Sequence, residues 1–186
     1  MLNILFIYFL IFTMLTPLPP PSKNQVTTEQ IISALPEGTN IKSIAIIQDG
    51  ILICGELILT LDEPAPPLHS VAFFAKLDPY GGFLWLQKYW GDEHNSVNAL
   101  IEVEDGYLLV GSSHSRYGST FMVIKTDING NALWIRYSGE GQQTNVKNIS
   151  VTDNGKYLIK GLINNWDSSS TIYNILIDKN GNMVIS

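Results

Sequence analysis

The chain has 186 residues, enough for one domain with its own core, and 45% of them are hydrophobic, which excludes a disordered protein. Eleven basic side chains face 17 acidic ones, a net charge of −6, which argues against a nucleic-acid partner, since that needs a clustered basic face. A single cysteine, Cys54, excludes an intramolecular disulfide and a thiolate-built zinc site; its setting in "ILICG" reads as a small buried hydrophobe.

The chain opens with "MLNILFIYFLIFTMLT", residues 1–16, which carry no charged side chain. The apolar run has the length of a signal-peptide core and falls short of the ~20 residues that span a bilayer comfortably. No Lys or Arg precedes it, and no small-residue cleavage site stands before "PLPPPS". A cleaved secretory signal and a retained membrane anchor both remain open. Either aims the protein out of the cytoplasm, secreted or at the cell surface, with membrane contact only through this segment. Residues 17–26, beginning "PLPPP", read as a stiff extended linker. The rest, 27–186, reads as one repeat domain. Its opening, "VTTEQIISALPEGTN", suits an outer strand or a short helix with Thr27 or Thr28 as N-cap.

A repeat then occupies residues 41–91, 97–139 and 146–186. Asp78, Asp127 and Asp178 open three copies of one phrase, spaced by 49 and 51 residues. A second phrase begins at Ile41, Val97 and Val146 and closes on Gly55, Gly111 and Gly161. Gly81, Gly130 and Gly181 correspond, as do Trp85 and Trp134, with Ile185 in the third copy. Extra length in the first unit falls in "TLDEPAPPLHS", a proline-rich loop. Within a unit, short apolar runs such as "VNALIEV", "YLLVG", "FMVIKT" and "ALWIRYS" alternate with "EDG", "SSHSRYGS", "DING" and "SGEGQQ". These are strands bounded by turn residues. In D-x-N-G the Gly supplies a positive φ, and Asp78-Pro79-Tyr80-Gly81 suits the same hairpin geometry. Runs apolar at consecutive positions imply burial on both faces, as when one sheet stacks on the next.

The ordered pattern, DG-(Y)-hhhxG followed by hhhKxDxxGNxxW and a Gly-rich break, resembles the degenerate β-propeller repeats of secreted bacterial and archaeal proteins. The resemblance covers about residues 41–186. It implies an all-β, propeller-like array of about three four-stranded antiparallel blades. Rings close with about four to eight blades. Three blades therefore form an incomplete array, or one completed by oligomerisation, or a shortened copy of a larger propeller. The pattern is also similar to the quinoprotein tryptophan-docking repeat. Here the spacing from Asp127 to Gly130 is one short and the Thr is missing, so no quinone is carried over and no cofactor is expected.

If "VNALIEV" is the innermost strand, the turns "EDG" and "DING" share one end of the array. The more variable loops share the other, where a binding surface would be mounted. That end holds the candidate binding residues His69, Asp92, Glu93, His94, His114, Arg116, Tyr117, Trp166 and Asp167. Histidine and carboxylate suit metals, but no H-x-H or HExxH spacing accompanies them, so solvated polar loops are the simpler expectation. Trp90, Tyr117 and Trp166 could make an aromatic platform; the plainer role for Trp90 is packing between units, and for Trp166 capping one. Trp85 and Trp134 read as packing between units. Asp127-Ile-Asn129-Gly130 reads as a turn rather than a calcium loop, since its Gly is fourth, not sixth. Asn148-Ile149-Ser150 is a glycosylation sequon inside a predicted strand, where no modification is expected. No nucleophile elbow, phosphate loop or catalytic triad is present in the pattern. The expected function is non-catalytic binding of a protein or glycan, with self-association as the alternative and a metal- or quinone-dependent enzyme, for which no ligand spacing speaks, as the least favoured reading.

Overall fold

The computed structural model describes residues 26–59, 69–141, 143–164 and 169–184. The predicted signal or anchor, nearly all of the linker, most of "TLDEPAPPLHS", and both Trp166 and Asp167 lie outside them. The described chain is all-β except for one short helix, α1 (Thr28–Ser33). Of the two readings left open there, the helix is the one that forms. Thr27 Oγ1 accepts from the Gln30 N–H at 3.3 Å, and Gln30 Oε1 accepts from the Thr27 N–H at 2.8 Å. This reciprocal cap fixes the start of α1. No helix among the described residues is long and apolar enough to cross a membrane.

Eleven strands follow in chain order: β1 (Thr39–Ile47), β2 (Gly50–Ile58), β3 (Ser70–Leu77), β4 (Phe83–Tyr89), β5 (His94–Val103), β6 (Gly106–Ser115), β7 (Gly118–Thr126), β8 (Ala132–Gly141), β9 (Gln143–Val151), β10 (Tyr157–Asn164) and β11 (Ser170–Ile177). Each pairs antiparallel with its chain neighbour within three successive meanders: β1–β4, β5–β8 and β9–β11. One parallel bridge, Ser70 opposite His94, ties the first meander to the second. Among the described residues the third has three strands, plus a bridge from Met183 to Ile177 where β4 and β8 begin in the other two.

The consecutive apolar residues do face both ways. Leu109, Met122 and Ile124 of the middle sheet pack with Leu52, Cys54, Ala72 and Phe74 of the first. The residues between them, Leu108, Val110, Phe121 and Val123, pack with Ile149, Ile159, Ile175 and Ile177 of the third. The sheets are therefore stacked face to face, and the middle one is buried on both sides. Isolated hairpins are marginal in water, whereas burying each such side chain contributes about 1.5–3 kcal/mol, so the stacking is what makes these meanders stable. The outer face of the first sheet, with Ile53, Phe73 and Leu77, is covered by Ile31 and Leu35 at α1. Cys54 is fully buried, as its sequence setting suggests, and burial pushes its thiol pKa strongly upward.

The recurrent phrase is a capped turn. The Oδ1 of Asp127 accepts from the N–H groups of Asn129 and Asn131, both at 2.8 Å, and Asp78 and Asp178 do the same in their own turns. Gly81, Gly130 and Gly181 hold φ of 86°, 78° and 79°. Each glycine is also covered by the preceding element. A Cβ on Gly130 would stand 2.7 Å from the Trp85 ring, one on Gly181 2.8 Å from Trp134, and one on Gly81 2.9 Å from Val26. Trp85 and Trp134 thus pack between successive sheets, each seated on the next unit's turn.

A second recurrence is ionic. Lys76 Nζ donates to Asp49 Oδ2 at 2.7 Å, and Lys125 Nζ meets Asp105 Oδ1 at 2.8 Å. Both pairs join a β-hairpin turn to the third strand of its own sheet. In the third unit Leu176 replaces the lysine, and the β9–β10 turn is longer, closed instead by Thr152 Oγ1 accepting from the Lys156 N–H at 3.1 Å.

Candidate functional site

Three equivalent irregularities build the site. Along β1, Ile41 faces Gly55 and Ser43 faces Cys54, which leaves Lys42 as an extra residue. Along β5, Val97 faces Gly111 and Ala99 faces Val110, leaving Asn98. Along β9, Val146 faces Gly161 and Asn148 faces Lys160, leaving Lys147. Each first strand therefore carries a one-residue bulge at the same place, which bends the strand and re-aims a side chain. The glycines opposite explain themselves. A Cβ on Gly55 would run into the Asn40 carbonyl oxygen, one on Gly111 into that of Ser96, and one on Gly161 would stand 2.8 Å from that of Asn145.

The three first strands lie side by side, so the bulges converge. Lys42, Asn98 and Lys147 all line one open cleft of about 500 Å³. Its other walls come from Glu56, His94, Ser112 and His114 on one side and Gln143, Thr144 and Asn164 on the other. Glu56 is satisfied within the wall: Lys42 Nζ lies 3.0 Å from its Oε1, and Asn40 Nδ2 donates to the same oxygen at 2.7 Å. Thr144 is 2% exposed, and its hydroxyl has no hydrogen-bond partner among the described residues.

Of the sequence-predicted residues, the structure brings the three histidines together at this end. The rings of His69 and His94 stack at 4.7 Å between centroids. His94 and His114 face each other across the β5–β6 ladder, and both line the cleft. His114 is not in a loop, as "SSHSRYGS" suggested, but in β6, because only Arg116 and Tyr117 form that turn. Its Nε2 lies 3.0 Å from Ser112 Oγ. Burial, and then the neighbouring His94, lower the pKa of His114, with Glu56 opposing them.

Of the other predicted residues that are described, Asp92, Glu93, Arg116 and Tyr117 do not line the cleft. The Asp92 carbonyl accepts from Asn95 Nδ2 at 2.7 Å, and Ser113 Oγ donates to Asn95 Oδ1 at 2.8 Å. This buried polar bolt fixes the loop entering β5. Glu93 lies 3.4 Å from Arg116 Nε, an exposed pair contributing about 1 kcal/mol at most. The Arg116 guanidinium sits 5.6 Å from the Tyr117 ring centroid, and Tyr117 is 87% exposed. Trp90 stands just past the end of β4 and is 48% exposed, so about half of its surface stays open to solvent. Asn148 of the sequon lies in β9 as expected, yet its side chain is exposed, so strand placement alone does not hide it.

Sequence reasoning missed the bulge residues and the polar starts of the first strands. The signal was there: "NIK", "SVN" and "NVK" stand at one position in the repeat. Chemically the cleft offers ammonium, amide and hydroxyl groups with one carboxylate already paired. Among the described residues no three His, Cys, Asp or Glu side chains converge as a metal would require. Ser112 and His114 touch, but no described carboxylate hydrogen-bonds the other imidazole nitrogen to orient it as a base.

Comparison of the chain with protein-family models gives no match, and comparison with curated proteins gives none.

Proposed function

We propose that this chain is an exported β-propeller-like repeat module that binds a protein or glycan, without catalysis, at its loop-bearing end. The observation that carries the reading is the convergence of three repeat-equivalent bulge residues, Lys42, Asn98 and Lys147, on one cleft. In a propeller-like array the first strands are the innermost, so such a cleft corresponds to the axial mouth, where ligand sites are commonly built. The variable residues His69, Glu93, His94, His114 and Arg116 rim it. Export rests on the uncharged N-terminal segment, either cleaved or kept as an anchor.

A glycan and peptide array probed with the full-length chain tests this reading. Binding that weakens in His94→Ala and Arg116→Ala supports it. Binding indifferent to both, or no binding at all, contradicts it.

A second reading is self-association. Leu158, Leu162, Ile172 and Leu176 lie on the face of the third sheet turned away from the second, and Ile172 is 72% exposed. Among the described residues nothing covers that face as α1 covers the first sheet. A discrete oligomer by light scattering after size exclusion favours this reading; a monomer removes it.

A further inference from the structure

We propose that the cleft binds an anionic, hydroxyl-bearing ligand, in its simplest form a uronic-acid saccharide, held by the bulge residues Lys42, Asn98 and Lys147. This rests on the reading of the cleft as the binding site.

The bulges are the first argument. An extra residue leaves a strand position unpaired, and here the same interruption occurs in all three units, each time at the cleft. The residue delivered is a hydrogen-bond donor each time: lysine, asparagine, lysine. Packing alone does not call for that choice.

Charge is the second. Lys42 is neutralised by Glu56, but Lys147 has no carboxylate within ion-pair distance among the described residues. Among the described residues the cleft thus keeps an ammonium without a carboxylate partner, within a chain of net charge −6. A concave, partly enclosed wall concentrates the field of such a charge on an incoming anion. A carboxylate is the matching group, accepting from Lys147 Nζ in a charge-assisted hydrogen bond.

The third argument is the orphaned Thr144 hydroxyl, 2% exposed on the same wall. A buried hydroxyl without a partner costs about 1–3 kcal/mol. That oxygen is closed to solvent as it stands, so a ligand hydroxyl satisfies it only when the Thr144 side chain turns it toward the cleft. Beside it, Gln143 and Asn145 each offer an amide donor and acceptor, the two-way capacity that sugar hydroxyls use. The volume, about 500 Å³, falls within the range of small-ligand sites.

The test is calorimetric titration of the full-length chain with trigalacturonate and with its methyl-esterified form, which keeps the hydroxyl frame and removes the charge. The acid should bind, with the ester and the Lys147→Gln variant weaker by roughly tenfold or more and Lys147→Arg close to wild type. Lys147 is exposed, so the variants should fold, as circular dichroism will show. Equal binding of acid and ester, untouched by Lys147→Gln, overturns the anionic class and leaves the cleft as a site. No heat from either at millimolar concentration overturns the inference. The array then separates the two failures: a different ligand whose binding His94→Ala weakens preserves the functional reading, and its absence ends that as well.

Discussion

The indole of Trp85 rests on Gly130, 49 residues after Gly81, the matching glycine of its own unit. The same strand reinforces the seat: Tyr89 Oη donates to the Gly130 carbonyl at 2.7 Å. Trp134 repeats the arrangement on Gly181. A motif that looks local in sequence is thus a contact between successive sheets.

That contact predicts a coupling. Gly130→Ala meets both a positive φ of 78° and the Trp85 ring, whereas Gly155, at a φ of 71°, has nothing within 4 Å of an added Cβ. Gly155→Ala should cost only the backbone strain, about 1–2 kcal/mol, and Gly130→Ala about 1–3 kcal/mol more. In Trp85→Ala, itself costing about 2–4 kcal/mol for a half-buried ring, the excess at Gly130 should largely vanish. Urea titrations of the single and double variants measure it. Additive effects would mean that the ring does not rest on the turn.

The paired lysines give the second prediction. The Lys125 side chain is 5% exposed while that of its partner Asp105 is 72% exposed. Asp105→Asn strands a nearly buried ammonium that keeps the Thr126 carbonyl, at 3.0 Å. With the carboxylate open to solvent, the loss should be about 1–2 kcal/mol. Lys125→Leu, the residue type at the matching position in the third unit, should lie within about 1 kcal/mol of wild type. Hydrogen bonding to lysine lowers the pKa of Asp49 and of Asp105. Their stabilisation is therefore complete above the unfolded aspartate value, about 3.9, and is lost as pH falls below it.

His114 acts in a higher pH range. Its folded pKa is depressed, first by burial and then by His94. As pH falls through about 6.5, the unfolded chain takes up a proton that the folded His114 refuses. Stability should therefore fall between about pH 7 and the depressed folded value, and flatten below it. His114→Gln should lessen that slope, as read from chemical unfolding midpoints across pH. An unchanged slope would mean that His114 titrates normally.

Much of this was legible in the sequence because its cause is local. Asp-x-Asn-Gly marks a turn wherever it stands, and consecutive apolar residues such as Leu108, Leu109 and Val110 in a strand can only be buried on two faces. The helix at Thr28 was undecided, since its only local signal was the Thr27–Gln30 cap. The bulges were harder. A bulge adds one residue to a strand, and only the opposing ladder shows that Lys42, Asn98 and Lys147 have no partner. The closing glycines Gly55, Gly111 and Gly161 were visible as a recurrence, but their cause, a carbonyl pressed where a Cβ would be, is a cross-strand fact. His114 was misplaced because polar residues in "SSHS" suggest a loop, while in β6 they face a polar cleft and a buried Asn95.

The claim beneath all of this is that three sheets dock in series, each through a tryptophan on the next unit's glycine. Native-state hydrogen exchange in wild type and Trp134→Ala tests it most directly. The account predicts strongest protection in β6 and β7 and a selective rise of exchange in β9–β11 when Trp134 is removed, with β1–β4 unchanged. Uniform protection across the sheets, with all of them loosening together in the variant, would contradict it.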